Sequence, residues 1–290
     1  MSTQPVISTV VLNWNRSDLL VRMLESYLNT VSIPYEIIVV DNASSDDSRD
    51  VIDRFSDANP NISCVLLDEN LGGEALNAGL ERATGDLLHL SENDLEYLPG
   101  WSERVTDYFD VFDELGQLSP FSPVPEDNEV WVLKPSRLIH KKGRILYEAL
   151  ANVGTSCILR RAVWENGIRV SNLPVSEGVL FPNDLKLSQD IREAGFLVAW
   201  ADHYLVRNTG HSEEEFKGRE DYYRENYRAK TWLGVDGWTE RRSEISRRTR
   251  PVGSWFLFDG AMVDAVMSPP NKVGPVPRLW SMLDGQTPEI

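Results

Sequence analysis

Leu87-Leu88-His89-Leu90-Ser91-Glu92-Asn93-Asp94 is a short apolar run that ends in two carboxylates separated by one residue. So continuous a run predicts a strand covered on both faces. Three upstream segments share its design. Val6 to Leu12 is a β-branched strand that delivers Asn13, and Tyr35 to Val40 is a second that delivers Asp41. Ile62 to Leu67 is a third, followed by Asp68. Helical periodicity fills the gaps. Leu20, Met23, Leu24, Tyr27 and Leu28 recur every three to four residues behind Asp18, and Val51, Ile52 and Phe55 form a second face. The glycine turn Gly72-Gly73 leads into a third helix carrying Leu76, Leu80 and Ala83. Strands and helices alternating in this way predict an α/β fold with a mostly parallel central sheet flanked by helices. Ligands of such sheets gather at the carboxyl ends of the strands. Asn13, Asp41, Asp68 and the Glu92–Asp94 segment all fall at those ends.

Beyond this region the pattern loosens. A helix is expected from about Gly100 to Phe112, after which Pro120, Pro123 and Pro125 interrupt the chain. Val130 to Leu133 reads as a short strand, and the mixed stretch from Ile139 to Glu148 as a mobile loop over a cleft. Ala151 to Leu159 reads as a strand, Arg160-Arg161 as the opening of a helix with Val163 and Trp164, and Phe196 to Trp200 as another strand. Between them, Asp184 occupies a candidate N-cap ahead of a helix with Leu187, Ile191 and Ala194 on one face, closed by Gly195. Residues 212–290 read as a helical and irregular C-terminal extension. In it, Phe216, Tyr223, Tyr227 and Trp232 mark the inner face of a helix from Glu213 to Leu233. Arg241-Arg242, Arg247-Arg248 and Arg250 form a basic patch, and Pro269 to Pro277 an extended tail. The aromatic run Trp255 to Phe258 suggests packing on the main domain or a homodimer.

Composition narrows the function classes. A net charge of −16 disfavours general nucleic-acid binding, because a polyphosphate would be repelled. No stretch of 18 apolar residues is present to span a bilayer, and Met1-Ser2-Thr3-Gln4-Pro5 lacks the basic start of a signal peptide. A cytoplasmic location is therefore expected, with peripheral association to the inner face of a membrane as a variant. Cys64 and Cys157 lie in apolar contexts and are expected to be reduced.

The chemistry follows from residue types. Asp94 with Glu92 can hold Mn²⁺ or Mg²⁺, hard cations that take oxygen ligands and share them with phosphates. A cation there would neutralise charge on a departing nucleoside diphosphate. Taken singly, a pair of acids in a loop is also an ordinary solvated turn. Asp41 can accept hydrogen bonds from a base or ribose, although Asp-Asn-Ala-Ser also simply starts a helix. Asp184 can serve as a general base or merely cap its helix. The glycine turn matches neither the dinucleotide fingerprint nor the lysine-containing phosphate loop. Trp131, Trp164 and Trp200 can stack on sugar rings or pack in the core.

Val10-Val11-Leu12-Asn13-Trp14-Asn15 with Ile38-Val39-Val40-Asp41-Asn42-Ala43-Ser44 resembles the start of the family 2 glycosyltransferases. The likeness continues through Asn70-Leu71-Gly72-Gly73, Asn77-Ala78-Gly79, Ala83-Thr84-Gly85-Asp86, the acids ending at Asp94 and Leu98-Pro99-Gly100-Trp101. It covers roughly residues 6 to 211. It implies the glycosyltransferase A fold, with a nucleotide-sugar half over 1–100 and an acceptor half over 101–211. Asn13, Asn15, Asp41 and Asn70 would then serve the donor, as would Gly72, Asn77, Glu92 and Asn93. Asp94 would be the last acid of the metal motif, and His211 would join it. Asp184 would be the catalytic base of an inverting enzyme, with Trp131, Trp164 and Asn183 on the acceptor side. The sequence departs from the family pattern at Glu92-Asn93-Asp94, where aspartates are frequent. It departs again at Asn183-Asp184 in place of Glu-Asp, and at Ala75-Leu76, which lacks a basic residue. These changes keep a donor- or carbohydrate-binding module without catalysis in view. A sugar nucleotidyltransferase is a further alternative, but its glycine- and lysine-rich opening loop is missing. The expected partners are a nucleotide sugar and a hydroxyl-bearing acceptor.

Overall fold

The computed structural model describes residues 5–122, 135–150, 153–172 and 182–210, with 215, 218, 219, 221 and 222 beyond them. Trp131, His211, the strand expected at Val130 to Leu133 and nearly all of the C-terminal extension lie outside the described residues. In the first hundred residues, β1 (Ile7–Asn13), β2 (Tyr35–Asp41), β3 (Ile62–Leu66) and β4 (Leu87–Glu92) alternate with α1 (Ser17–Thr30), α2 (Ser48–Ala58) and α3 (Ala75–Leu80). A short strand β5 (Leu95–Tyr97) and α4 (Trp101–Val111) follow, then β6 (Leu115–Ser119), β7 (Pro135–Lys141), β8 (Arg144–Ala149) and β9 (Cys157–Arg160). The described chain ends with α5 (Arg161–Glu165), α6 (Asp184–Glu193), β10 (Leu197–Ala201) and β11 (Val206–Asn208).

Nine strands form one sheet in the order β3-β2-β1-β4-β9-β6-β10-β8-β7, and β5 pairs with β11 beside it. β9 is antiparallel to both β4 and β6, and β8 to both β10 and β7. The remaining seven strands all point one way, so the sheet is mostly parallel as expected. Adjacent residues of β1 serve opposite faces, as the two-residue period of a strand requires. Ile7 and Val11 join a core with Leu20, Met23, Tyr27, Trp101 and Val105, whereas Val10 joins Ile38, Leu76, Leu80, Leu187 and Ile191 on the other side. Both cores draw on residues from each side of position 100, so the two sides of that position share one sheet and both cores.

Close packing explains two glycines. A Cβ at Gly79 would lie 2.3 Å from Val10 Cγ1 and 2.8 Å from Val40 Cγ2, so α3 rests on the sheet only without one. Gly100 has φ +80 ahead of α4, a conformation glycine adopts without steric cost.

Three expectations change. The stretch Ile139–Glu148 is not a loop over a cleft but the turn and arms of the β7–β8 hairpin, closed at Lys142 and Gly143, both with positive φ. The strand expected over Ala151 to Leu159 is confined to Cys157–Arg160, with Gly154 at φ +85 just before it. β3 stops at Leu66, two residues short of Asp68. Cys64 and Cys157 are free thiols. They sit on β3 and β9, four strand spacings or roughly 19 Å apart, too far to be bridged.

Candidate active site

The carboxyl ends of β1, β2 and β4 converge because the three strands are adjacent and in register, with Asn13 opposite Asp41 and Leu12 opposite Glu92. Side-chain amides stitch the ends together. Asn13 Nδ2 donates to Asp41 Oδ1 (3.1 Å) and to Ser44 Oγ (3.2 Å), while Asn13 Oδ1 accepts from Asn93 Nδ2 (2.8 Å). The Asn93 amide also reaches the Asn15 carbonyl at 2.9 Å. Asp41 is fully buried. Its second oxygen receives Arg49 Nε at 3.1 Å and the Ser44 N–H at 3.3 Å.

The glycine turn is organised by Asn42, which the sequence reading passed over. Its Nδ2 donates to Asn70 Oδ1 (2.8 Å) and to the Gly72 carbonyl (3.1 Å), and its Oδ1 accepts the Leu71 N–H (2.8 Å). Asn70 Oδ1 also accepts the Gly72 N–H at 2.8 Å. Gly72 stands at φ +61, and a Cβ on Gly73 would lie 2.4 Å from Pro182 Cβ. The turn therefore abuts the residues that open α6. Asn77, expected to serve the donor, spends its amide on the backbone of Val170, donating to its carbonyl at 2.8 Å and accepting its N–H at 3.0 Å.

Asp94 is 4% exposed. Arg16 grips it: Nη1 lies 3.0 Å from Asp94 Oδ2 and Nη2 lies 2.6 Å from Asn93 Oδ1. The guanidinium also stacks on Tyr222, 5.2 Å from the ring centre, and Tyr222 in turn packs 5.4 Å from Trp14. Thr209 caps the Asp94 carbonyl with its N–H (2.7 Å) and hydroxyl (2.9 Å). Gly210 comes so near that a Cβ there would lie 2.1 Å from Asp94 Oδ2. Asp94 Oδ1, by contrast, is buried with no hydrogen-bond partner among the described residues. A buried carboxylate oxygen without a donor suits a hard cation. Among the described residues no three His, Cys, Asp or Glu side chains gather around a single point.

At the start of α6, Asn183 rather than Asp184 is the N-cap, its Oδ1 accepting the Lys186 N–H at 3.1 Å. Asp184 is the first helical residue, and its Oδ1 receives the Thr155 hydroxyl at 2.6 Å. The adjacent Ser156 hydroxyl points to Glu92 Oε2 at 3.4 Å. Burial pushes the Cys157 thiol up to about 12, Gln117 opposes this with a hydrogen bond, and the charges of Asp184 and Glu92 push it further up. Trp164 carries the Arg169 guanidinium 3.4 Å from its ring centre. Trp200 is 1% exposed and belongs to the core.

The model of the family described as "Glycosyl transferase family 2" matches residues 8–167, more than half of the chain. The chain belongs to that family. Among the relatives of this family 2 chain is an uncharacterized glycosyltransferase of Nostoc sp., 32% identical over 111 residues, which are 38% of this chain and 34% of that protein. Another is an undecaprenyl-phosphate 4-deoxy-4-formamido-L-arabinose transferase of Pectobacterium carotovorum, 33% identical over 107 residues, with 35% and 33% covered. The chain thus spans about a third of the length of the curated relatives it matches. A solved mannosyltransferase of Pyrobaculum calidifontis, in complex with GDP-Man and Mn²⁺, superposes with a TM-score of 0.55 at 14% identity, over 88% of this chain and 73% of that one. That likeness establishes the glycosyltransferase A fold. Among the described residues, no helix is long and apolar enough to cross a membrane.

Proposed function

We propose that this family 2 protein is an inverting glycosyltransferase that moves a sugar from a nucleoside diphosphate to an acceptor hydroxyl. The observation that carries the reading is a carboxylate at each of two element ends. Asp94 offers a buried, donorless oxygen at the end of β4, and Asp184 stands at the start of α6 with its helix already capped by Asn183. A polyprenyl-linked acceptor is suggested by the Pectobacterium relative and a Mn²⁺-bound sugar nucleotide by the Pyrobaculum neighbour.

In this reading Asp94, with Glu92 beside it, would hold Mn²⁺ or Mg²⁺. The cation supplies charge neutralisation for the departing diphosphate. Asn13, Asn15, Asp41, Asn70 and Gly72 shape the nucleotide end, where Asn13 and Asn42 fix the side chains and turn that a nucleoside would meet. Asp184 accepts the proton of the acceptor hydroxyl. The hydroxyl oxygen bonds to the anomeric carbon as the carbon–phosphate-oxygen bond breaks on the opposite face, and the electron pair leaves with the diphosphate.

The test compares donor binding with turnover. Calorimetry with UDP and GDP, with and without Mn²⁺, is expected to show metal-strengthened binding that Asp94→Asn abolishes. Asp184→Asn is expected to lower transfer by about 10²–10⁴-fold, the usual contribution of a general base, while leaving nucleotide binding within about twofold. Equal loss of binding and turnover in Asp184→Asn would make that residue structural. Tight nucleotide binding by a wild-type protein without turnover would favour a binding module.

A further inference from the structure

We propose that Arg16 is a specificity-determining residue for the divalent cation, engaging one oxygen of Asp94 so that a cation finds only the other. This rests on the reading of Asp94 as a cation ligand and adds to it a residue outside the expected site. β1 and β4 end side by side, with Leu12 opposite Glu92, and Arg16 reaches across from the loop after β1. Its Nη1 lies 3.0 Å from Asp94 Oδ2 and its Nη2 lies 2.6 Å from Asn93 Oδ1. Contacts with two successive residues fix the guanidinium relative to the carboxylate, and the Tyr222 ring packs against it at 5.2 Å. A charge-assisted bond of this kind belongs to the stronger class of hydrogen bond.

Oδ2 is crowded by a second neighbour. A Cβ on Gly210 would lie 2.1 Å from it, so that residue's backbone stands directly against the oxygen. Thr209 bonds the Asp94 carbonyl twice, which fixes the main chain from which the carboxylate projects. Oδ1 is the contrasting atom, buried and without a hydrogen-bond partner among the described residues. A divalent cation straddling both oxygens would share Oδ2 with the guanidinium, and the two positive charges repel. A cation on Oδ1 alone avoids that conflict. Mn²⁺ and Mg²⁺ accept one oxygen from a carboxylate and complete a near-octahedral shell with water and phosphate oxygens. Ca²⁺ takes more oxygens and gains from carboxylates that give both. Arg16 therefore selects against Ca²⁺ by limiting the number of ligands.

The experiment titrates the full chain with MnCl₂ and with CaCl₂ in a calorimeter, alone and with UDP or GDP present. Arg16→Met is expected to lower the ratio of Mn²⁺ to Ca²⁺ affinity by about tenfold, the scale on which outer partners of a ligating carboxylate act. The ratio separates the lost donor from the lost charge, because removing a positive charge favours both divalent ions alike. Arg16→Leu provides a second donor-free variant should methionine disturb folding. Arg16→Lys keeps a charge and a donor, and its ratio is expected to stay close to that of the wild type. A ratio unchanged in the folded donor-free variant would overturn the proposal, as would equal tightening of both ions or a fall that Arg16→Lys shares. The two readings fail separately. Cation binding that survives Asp94→Asn removes Asp94 as the ligand, whereas binding lost in Asp94→Asn with an unmoved ratio in Arg16→Met removes only the role of Arg16.

Discussion

The two oxygens of Asp94 have unlike surroundings: Oδ2 meets the Arg16 guanidinium, and Oδ1 is buried without a donor. Arg16 reaches this position from left-handed backbone, φ 60 following Asn15 at φ 55, which for non-glycine residues costs of order 1 kcal/mol each. Asn15 is held there by Ser44, Ser45 and Asn93. Because the side chains of Arg16 and Asp94 are only 12% and 6% exposed, solvent screens the pair little. Asp94→Asn therefore removes the carboxylate that Arg16 Nη1 meets while leaving the contacts with Asn93 and Tyr222, and urea unfolding is expected to show a loss of about 1–3 kcal/mol. Combining it with Arg16→Gln should recover most of that loss, and additive losses in the double-mutant cycle would refute the coupling. Asp94 was legible in the sequence because a carboxylate after an apolar strand stands out. Arg16 was not, since nothing in local spacing announces a contact between residues 78 positions apart. Asn42 hid for a similar reason: Asp-Asn-Ala-Ser reads as a helix start, yet its second residue organises the glycine turn.

At the scale of the element, β4 hides a titratable group in its middle. His89 is fully buried in register with Thr9 of β1, its ring 5.6 Å from Tyr97 and 5.7 Å from Trp101. Burial disfavours the imidazolium and lowers its pKa from the ordinary 6.5 to about 3. The sign follows directly. Below pH 6.5 the unfolded chain takes up a proton that the folded one refuses, so stability falls as pH drops from 6.5 toward 3. About 2 kcal/mol should be lost from this group by pH 5. Denaturant titrations at pH 7 and pH 5 should resolve that loss, and His89→Phe should remove most of it. The strands legible from sequence were those rich in Val and Ile and covered on both faces, such as β1 and β2. β6 escaped notice because Leu-Gly-Gln-Leu-Ser has no β-branched residue; Gly116 is there to admit Phe196, whose Cβ would lie 2.4 Å from an added one. The β7–β8 hairpin escaped because its arms intersperse Arg137, His140, Lys141, Arg144 and Glu148 with apolar residues near the sheet edge, where charge is tolerated.

For the molecule as a whole, the described residues on the two sides of position 100 are joined mechanically. β4 pairs with β9, and the core beneath joins Leu20, Tyr27, Trp101, Val105, Phe112 and Leu197. The described residues are expected to unfold as one cooperative unit, with coincident transitions by tryptophan fluorescence and far-ultraviolet circular dichroism. Separated midpoints would show that the halves are independent. The contact between Gly73 and Pro182 adds a second seam at the sheet's rim. Recombination is constrained by the same two junctions. A chimera that exchanges residues 1–100 for those of another family member inherits a foreign strand beside β9 and a foreign turn beneath Pro182. Sugar-donor preference is therefore expected to transplant as loop grafts after β1, β2 and β4, and not as an exchanged half.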